Sequence, residues 1–264
     1  MVSAAVKARE SEREANEKEL EGREERTRFR GGAARLNYLG QDRPDLQFAA
    51  KEVCQGMSVP TVGGLGKIKR AVRYLVGAGR LVWEMGFSDD DDRIDVMVDS
   101  DWAGAEDRRS TSGGMLVVGG VVVKSWSRTQ RVRALSSGEA EFYAGITGCA
   151  EGLGLQAVAA DLGWEMTVRI WTDSEAGKAM SGRKGLGRTR HIETKYLWIQ
   201  DIVKEGRVSI RKVWGKENPA DLLTKPLTWR EMADLLGKVG GRFIGGEDGA
   251  VGLVGSRRML RRRG

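Results

Sequence analysis

The chain has 264 residues, of which 44 are Lys or Arg and 37 are Asp or Glu, giving a formal net charge of +7. Its two cysteines exclude a disulfide framework and a Cys-rich zinc site, and its one histidine excludes a metal site built from several histidines. No apolar run approaches the roughly 20 residues of a membrane span, and the amino terminus lacks a signal-peptide core, so we expect a soluble, intracellular protein with no membrane partner. Any catalytic chemistry must therefore rely mainly on carboxylates.

The sequence divides into four segments. Residues 1–30 are highly charged and predict an exposed helix or a disordered lead-in with no apolar face to bury. Residues 31–88 have helical periodicity, and their glycine-rich stretch at 63–67 predicts the start of a helix, because it lacks the spacing of a phosphate-binding loop. Residues 93–230 predict an α/β domain. Residues 231–264 predict a Gly-rich linker and a basic tail, which fits a solvated terminus and a nucleic-acid contact equally well.

Hydrophobic alternation and helical spacing define the elements of the third segment. They are, in order, a strand at 93–101, strands at 115–118 and 121–126 around Gly119-Gly120, a helix at 136–162 capped by Ser137, a strand at 168–173, a helix at 190–205, a strand at 208–214 and a last helix capped by Asn218. This order predicts an α/β domain with a hairpin edge and a parallel crossover.

Two predicted parallel strands end in an aspartate. Asp99 lies near the carboxyl end of the first strand, with Asp101 on the same face, and Asp173 ends the strand that follows the long helix. One such aspartate alone is typical of a turn or a helix cap. The ends of neighbouring parallel strands meet at one edge of a sheet, and clustered like charges persist mainly where a cation bridges them. The pair therefore indicates a ligand site at that edge.

Two acids begin the long helix, and only one of them can face the sheet, because Glu139 and Glu141 are about 200° apart around the helix axis. Glu141 shares its face with Gly148 and Gly152, whose small size predicts close packing of that face on the sheet. We therefore predict that Glu141 points inward and that Glu139 is a partner of the helix dipole. Taken alone, Glu141 and Asp221, a first-turn acid of the last helix, fit that dipole role equally well.

The four acids selected in this way are Asp99, Glu141, Asp173 and Asp221. They form an all-oxygen set, which suits Mg²⁺ or Mn²⁺ rather than zinc. Several carboxylates around two such ions, about 3.5–4 Å apart, are the arrangement for phosphodiester hydrolysis.

Seven ordered blocks of sequence carry a resemblance to a known family. They are Asp99-Ser100-Asp101-Trp102-Ala103-Gly104, Arg108-Arg109-Ser110-Thr111-Ser112-Gly113, Ser125-Trp126-Ser127, Ala134-Leu135-Ser136-Ser137-Gly138-Glu139-Ala140-Glu141-Phe142, Asp173-Ser174, Arg188-Thr189-Arg190-His191-Ile192 and Ala220-Asp221-Leu222-Leu223-Thr224-Lys225-Pro226-Leu227. From about Ile94 to Leu227 the chain closely resembles the ribonuclease H domain of copia-type LTR retrotransposon polyproteins. The helical stretch before it resembles the end of the reverse transcriptase of these elements, on the blocks Tyr38-Leu39 and Arg43-Pro44-Asp45.

The resemblance implies a ribonuclease H-like fold, in which a mixed five-stranded sheet carries helices on both faces. It implies hydrolysis of the RNA strand of RNA–DNA hybrids with two Mg²⁺ ions, or Mn²⁺ in their place. The implied partners are the RNA–DNA hybrid and the reverse-transcriptase polymerase domain of the same element.

By motif position, the resemblance assigns metal binding and catalysis to Asp99, Glu141, Asp173 and Asp221. It places Asp101 and His191 beside them in supporting positions. Many cellular ribonucleases H have a histidine in the loop before the last aspartate, and this loop has none. We expect His191, on the predicted helix at 190–205, to orient the structure rather than to transfer protons.

Six further residues are candidates for substrate contact. Ser136, Ser137 and Ser174 flank the acids and could donate hydrogen bonds to a 2′-hydroxyl or a phosphate, or cap helices. Three arginines in loops around the hairpin are candidate phosphate contacts, or ordinary surface residues: Arg108, Arg109 and Arg128.

Two other functions stay open on the sequence alone. One is a catalytically silent module that binds nucleic acid or supports a polymerase domain, and the intact set of four acids argues against it. The other is an integrase-like or resolvase-like nuclease on the same kind of sheet, since a fold does not decide a function. The blocks around Glu141 and Asp221 favour a hybrid nuclease over that second alternative.

Overall fold

The computed structural model describes residues 12–85, 92–105, 107–187 and 189–245. The α-helices are α1 (Arg23–Leu39), α2 (Pro44–Cys54), α3 (Val62–Gly77), α4 (Ser137–Asp161), α5 (Glu175–Gly182), α6 (Trp198–Lys204) and α7 (Trp229–Lys238). The strands are β1 (Arg80–Trp83), β2 (Arg93–Asp101), β3 (Thr111–Val118), β4 (Val121–Thr129), β5 (Thr167–Thr172), β6 (Val208–Lys212) and β7 (Gly241–Ile244). Short 3₁₀ helices occur at Gln55–Met57, Thr194–Tyr196, Gly215–Glu217 and Pro219–Leu223.

The described residues divide into two compact units, residues 12–80 with 243–245 and residues 81–242. The first unit contains α1, α2 and α3 around a small apolar core. Within these described residues, no helix is long and apolar enough to cross a bilayer.

The predicted exposed helix at residues 1–30 is only partly right where the structure describes it, because residues 12–17 are helical and exposed but two later residues are buried. Leu20 and Phe29 are buried, and α1 runs through the predicted boundary at residue 30. Phe29, Ala33 and Leu36 lie at helical spacing, so a narrow apolar stripe continues across a segment that is otherwise charged. Residues 1–11 lie outside the described part of the chain.

The glycine-rich stretch at 63–67 lies at the start of a helix, as predicted. α3 begins at Val62, and the Thr61 hydroxyl accepts a hydrogen bond from the Gly64 amide at 3.1 Å. Gly64 packs against Phe29, where a Cβ atom would stand 2.9 Å from the ring. The glycine therefore serves close packing of helices and not the binding of a phosphate.

The second unit contains the predicted mixed five-stranded sheet, in the order β4-β3-β2-β5-β6. β2, β3 and β4 are antiparallel neighbours around the predicted hairpin, whereas β5 pairs parallel to β2 and to β6. Helical segments pack on both faces, which confirms the α/β, ribonuclease H-like fold. α4 lies against Val96 and Val98 on one face, and the Pro219–Leu223 helix lies over Gly113 on the other.

Two predicted helix boundaries are corrected by the hydrogen bonds. Ser136, and not Ser137, caps α4, because its hydroxyl accepts a hydrogen bond from the Glu139 amide at 3.2 Å. The predicted helix at 190–205 is reduced to a 3₁₀ turn and α6. In the segment before α6, several backbone amides bond to the carbonyl three residues earlier, which is the pattern of a turn or a 3₁₀ helix. The buried apolar residues of α6 are only Ile199 and Ile202. His191 therefore lies in a turn and not on a helix.

The end of the second unit is more structured than predicted. Asn218 caps a 3₁₀ helix as expected, but α7 follows it and spans the predicted start of the linker at residue 231. Thr228 and Glu231 form a reciprocal capping box, and Leu235 and Leu236 are buried. β7 then pairs with β1. The linker prediction is therefore wrong up to residue 245, and the basic tail lies outside the described residues.

Candidate active site

Three of the four predicted acids converge at the end of the central strands. Asp99 lies near the end of β2, Asp173 follows β5, and Glu141 lies in the second turn of α4. One carboxylate oxygen from each lies within 4.8 Å of the other two. The register of β2 and β5, which pairs Met97 with Trp171, brings the two aspartates side by side two residues further on.

Asp221, the fourth acid, borders this group of three. It lies in the Pro219–Leu223 helix, and its Oδ2 pairs with the Lys225 ammonium at 2.9 Å. Its Oδ1 is buried and has no hydrogen-bond partner. Its charge contributes to raising the pKa values of Asp99, Glu141 and Asp173, so the four acids share one electrostatic environment.

Two hydroxyl residues position the buried carboxylates. The Ser100 amide and hydroxyl both donate to Glu141 Oε1, at 3.1 and 2.9 Å. The Thr224 hydroxyl, fully buried, donates to Asp99 Oδ2. Neither residue was predicted from the sequence to have a role. Their only signal was position, because each lies inside a block that contains one of the acids.

The environment of the acids favours their protonated forms in the absence of a cation. Burial, followed by the charges of Glu141 and Asp221, raises the pKa of Asp99 well above its usual range. Burial raises the pKa of Glu141 to about 7, although the hydrogen bond from Ser100 opposes the shift. Burial and the charge of Asp221 also raise the pKa of Asp173. When ionised, the carboxylates therefore repel one another, and the two that are buried, Asp99 and Glu141, are poorly hydrated. A bound cation relieves both costs.

The residues present fit a hard divalent cation. All the possible metal-ligand atoms in the group are carboxylate oxygens. Glu141 is only 9% exposed, and its Oε2 has no hydrogen-bond partner. An unpartnered buried carboxylate oxygen costs free energy unless a cation or a donor satisfies it. The free oxygens of Glu141 and Asp221 are therefore the atoms that a metal ion would satisfy.

The two residues predicted to support the acids occupy different places. The carboxylate of Asp101 lies over the turn after β2, where a Cβ atom on Gly104 would stand 1.8 Å from its Oδ2. The ring nitrogen Nε2 of His191 lies 2.9 Å from Glu139, and not against the predicted metal ligands. Glu139 is buried and also accepts hydrogen bonds from the Leu135 amide and the Tyr143 hydroxyl. Its role at the helix start thus extends to fixing the His191 turn.

The predicted serine contacts differ in their local roles. Ser136 caps α4, and the Ser174 hydroxyl caps α5 by accepting from the Gly177 amide at 3.0 Å. Ser137 is exposed in the first turn of α4. All three lie within five residues of an acid in the group. Their contact with a substrate stays a prediction.

The three predicted arginine contacts lie around the β3–β4 hairpin. Arg108 and Arg109 are exposed in the turn before β3, and Arg109 pairs with Asp107 at 3.2 Å. Arg128 lies on β4 and not in a loop. Its guanidinium pairs with the carboxylate of Glu151, in α4, at 2.8 Å. A phosphate would have to compete with that carboxylate for the guanidinium.

Comparison with known proteins identifies retrovirus-related Pol polyproteins among the most similar relatives, although no family model matches the chain. The chain is 29% identical over 220 residues, or 81% of its length, to a retrovirus-related Pol polyprotein from transposon RE1 of Arabidopsis thaliana. It is 31% identical over 188 residues, or 69% of its length, to the Pol polyprotein from transposon TNT 1-94 of Nicotiana tabacum. These matches span only 15% and 14% of the two relatives.

A solved structure of LC11-RNase H1 in complex with an RNA/DNA hybrid is also similar to the chain. It is 17% identical, with a TM-score of 0.35, and the similarity covers 50% of this chain and 93% of the solved one. The similarity therefore falls on about half of the chain.

Proposed function

Because the chain is a homologue of the retrovirus-related Pol polyproteins of plant copia-type transposons, we propose that it hydrolyses the RNA strand of RNA–DNA hybrids. We assign this activity to residues 93–230, within a machinery for reverse transcription. Residues 31–88 would then be the end of the polymerase part, and the polymerase domain of the same element would be the partner. The chain spans about one seventh of the length of these relatives.

One observation carries the proposal. The carboxylate oxygens of Asp99, Glu141 and Asp173 lie within 4.8 Å of one another, at the edge of the sheet where neighbouring parallel strands end. A purely structural role does not require three acids this close together, since each charge raises the free energy of the others. A catalytically silent scaffold would gain stability by losing them. Their joint presence therefore favours an enzyme over that scaffold.

We propose Asp99, Glu141, Asp173 and Asp221 as the metal ligands. Two Mg²⁺ or Mn²⁺ ions bound by this set would activate a water for attack on the phosphorus and stabilise the leaving oxygen. The chain itself supplies orientation: Ser100 fixes one oxygen of Glu141, and Thr224 fixes one oxygen of Asp99. These bonds leave Glu141 Oε2 without a partner and available as a ligand. At neutral pH Glu141 would release a proton when the cation binds, because its pKa is about 7.

Selection of the RNA strand would depend on groups around the carboxylates. We propose that Ser136, Ser137 and Ser174 donate to a 2′-hydroxyl or a phosphate, since each lies at a helix start beside an acid. Arg108, Arg109 and Arg128 would contact phosphates farther along the hybrid. Asp101 and His191 would support the loop and turn around the acids and not contact the metal.

The test is cleavage of a hybrid whose RNA strand is labelled, in Mg²⁺ or Mn²⁺. Asp173→Asn should lower the cleavage rate by more than about 100-fold, since changing even a residue that only orients a metal ligand costs about 10–100-fold. Asp161→Asn is the matched control, because it makes the same change at an exposed position at the far end of α4. Circular dichroism melts establish that each variant folds.

The expected result is metal-dependent cutting of the RNA strand by wild type and Asp161→Asn, with the DNA strand intact. Binding of the hybrid without cutting, by wild type that is folded and saturated with metal, would replace the proposal with the silent-scaffold function. Cutting of duplex DNA at the same rate as the hybrid would point instead to a nuclease of the integrase or resolvase kind.

A further inference from the structure

The loop at residues 213–218, between β6 and the Pro219–Leu223 helix, is fixed beside the acids. A Cβ atom on Gly215 would stand 3.0 Å from Asp173 Oδ2, so the loop backbone lies against that carboxylate. The buried Asn218 side chain donates to a backbone carbonyl of β2 at 2.9 Å. Lys238 of α7 donates to a backbone carbonyl of the loop at 3.1 Å. The two residues that flank Gly215 are therefore held in place next to the proposed catalytic centre.

Those two residues are Trp214 and Lys216, and both project toward solvent. Trp214 is 66% exposed, and the centroid of its ring lies 5.7 Å from the Lys216 ammonium. The lysines that flank the loop in space or sequence all pair with carboxylates, namely Lys212, Lys225 and Lys238. In the part of the chain that the structure describes, Lys216 forms no ion pair. The loop thus presents an aromatic face and an unneutralised cation together.

A nucleic-acid backbone is the ligand that this combination fits. A tryptophan face packs against sugars and bases of any sequence, and an ammonium pairs with phosphate. Consecutive Cα atoms are about 3.8 Å apart, so both residues lie one step from the residue that contacts Asp173. Phosphates repeat along one strand at about 3.4 Å of axial rise, so a strand held at the acids would pass beside the loop.

We propose that Trp214 and Lys216 form a substrate contact that holds the nucleotide next to the cleaved phosphodiester. The sugar of that nucleotide packs on the indole ring, and its phosphate pairs with the Lys216 ammonium. This inference rests on the proposed function, because it places the same hybrid in the same site. The loop has no histidine, and its proposed role is to bind the substrate.

The chain offers a matched control for the tryptophan. Trp164 is also 66% exposed, and it lies just beyond the carboxyl end of α4. The helix rises about 1.5 Å per residue, which puts Asp161 about 30 Å along the axis from Glu141. Trp164→Ala therefore removes an equally exposed tryptophan far from the acids.

The experiment measures the Kd of a fluorescent RNA–DNA hybrid by anisotropy, in EDTA so that nothing is cut, across 50–200 mM salt. Trp214→Ala should weaken binding by about tenfold, Trp214→Phe should restore most of it, and Trp164→Ala should match wild type. Lys216→Met should lower the slope of log K against log salt by about 0.7–0.9, because one phosphate contact is lost. Both side chains are exposed, so melting temperatures should stay near that of wild type.

Binding by Trp214→Ala at the wild-type level, or an unchanged salt slope in Lys216→Met, would overturn the contact. If wild type then still cuts the hybrid in Mg²⁺, only the contact is refuted and the proposed function stands. If folded wild type neither binds nor cuts the hybrid, the proposed function and the contact are refuted together.

Discussion

The raised pKa of Glu141 makes the stability of the cation-free protein depend on pH. A carboxyl group whose pKa is raised by folding stabilises the folded state below its ordinary pKa and loses that effect as the pH rises through the folded value. For Glu141 the ordinary value is 4.5 and the folded value is about 7, and the shift results mainly from burial. At 1.36 kcal/mol per pKa unit, the free energy of unfolding should fall by about 3 kcal/mol between pH 4.5 and pH 7. Asp99 and Asp173 shift in the same direction.

Glu141→Gln isolates this contribution, because glutamine keeps an oxygen that can accept the hydrogen bonds of Ser100 and carries no charge. The assay is urea unfolding in EDTA at a series of pH values from 4 to 8. We expect the variant to be more stable than wild type at pH 8 by up to about 3 kcal/mol and to show a flatter pH profile. The control is Glu165→Gln, the same change at an exposed position.

Equal pH profiles for wild type and Glu141→Gln would refute the reasoning that burial and neighbouring acids hold the proton on Glu141. A variant that is less stable than wild type at pH 8 would show instead that the carboxylate is satisfied in the folded protein. A saturating divalent cation should remove most of the difference, because it favours the ionised form.

Three further predictions concern neighbours of the acids. Thr224→Val removes the hydroxyl that positions the Asp99 carboxylate. It should weaken Mn²⁺ binding, measured by electron paramagnetic resonance, by about 10–100-fold. Lys225→Met should tighten Mn²⁺ binding in the same measurement by about tenfold, because it removes a positive charge beside the site, whereas Lys225→Arg should not. In α4, Gly148→Ala should lower the free energy of unfolding by about 1–3 kcal/mol, because its Cβ would lie 2.5 Å from a β2 valine. Gly154→Ala in the same helix has open space and should raise it by up to about 1 kcal/mol, so equal effects in urea unfolding would contradict the packing argument.

The acids and the sheet were predictable because their signals are local. Alternation over residues 93–101 defines β2 and places Asp99 opposite Val98, and the glycine spacing in α4 defines the face of Glu141. These patterns depend only on neighbouring residues. The five-stranded order then follows from the hairpin and from the parallel crossover.

The supporting residues could not be predicted because their partners are remote in sequence. Ser100 donates to an acid 41 residues away, and Thr224 donates to one 125 residues away. Nothing in either local pattern specifies which hydroxyl will reach a carboxylate. The buried Phe29 was missed for the same reason, since one aromatic residue in a charged helix becomes core only when α3 brings Gly64 against it.

The glycines, rather than the acids, set how closely the site can assemble. On one face of β2, Gly148 and Gly152 let α4 pack so closely that a Cβ atom at either position would clash with a valine of the sheet. This close packing brings Glu141 to the edge of the sheet. On the other face, Gly113 lies beside Asp99 in the β-sheet register and leaves room for Thr224, whose Cγ2 would lie 2.7 Å from a Cβ at residue 113. Larger residues at these glycine positions would push α4 and Thr224 away from β2. The carboxylates would then lie too far apart to share a cation. The spacing of the carboxylates is therefore a consequence of backbone packing on both faces of one strand.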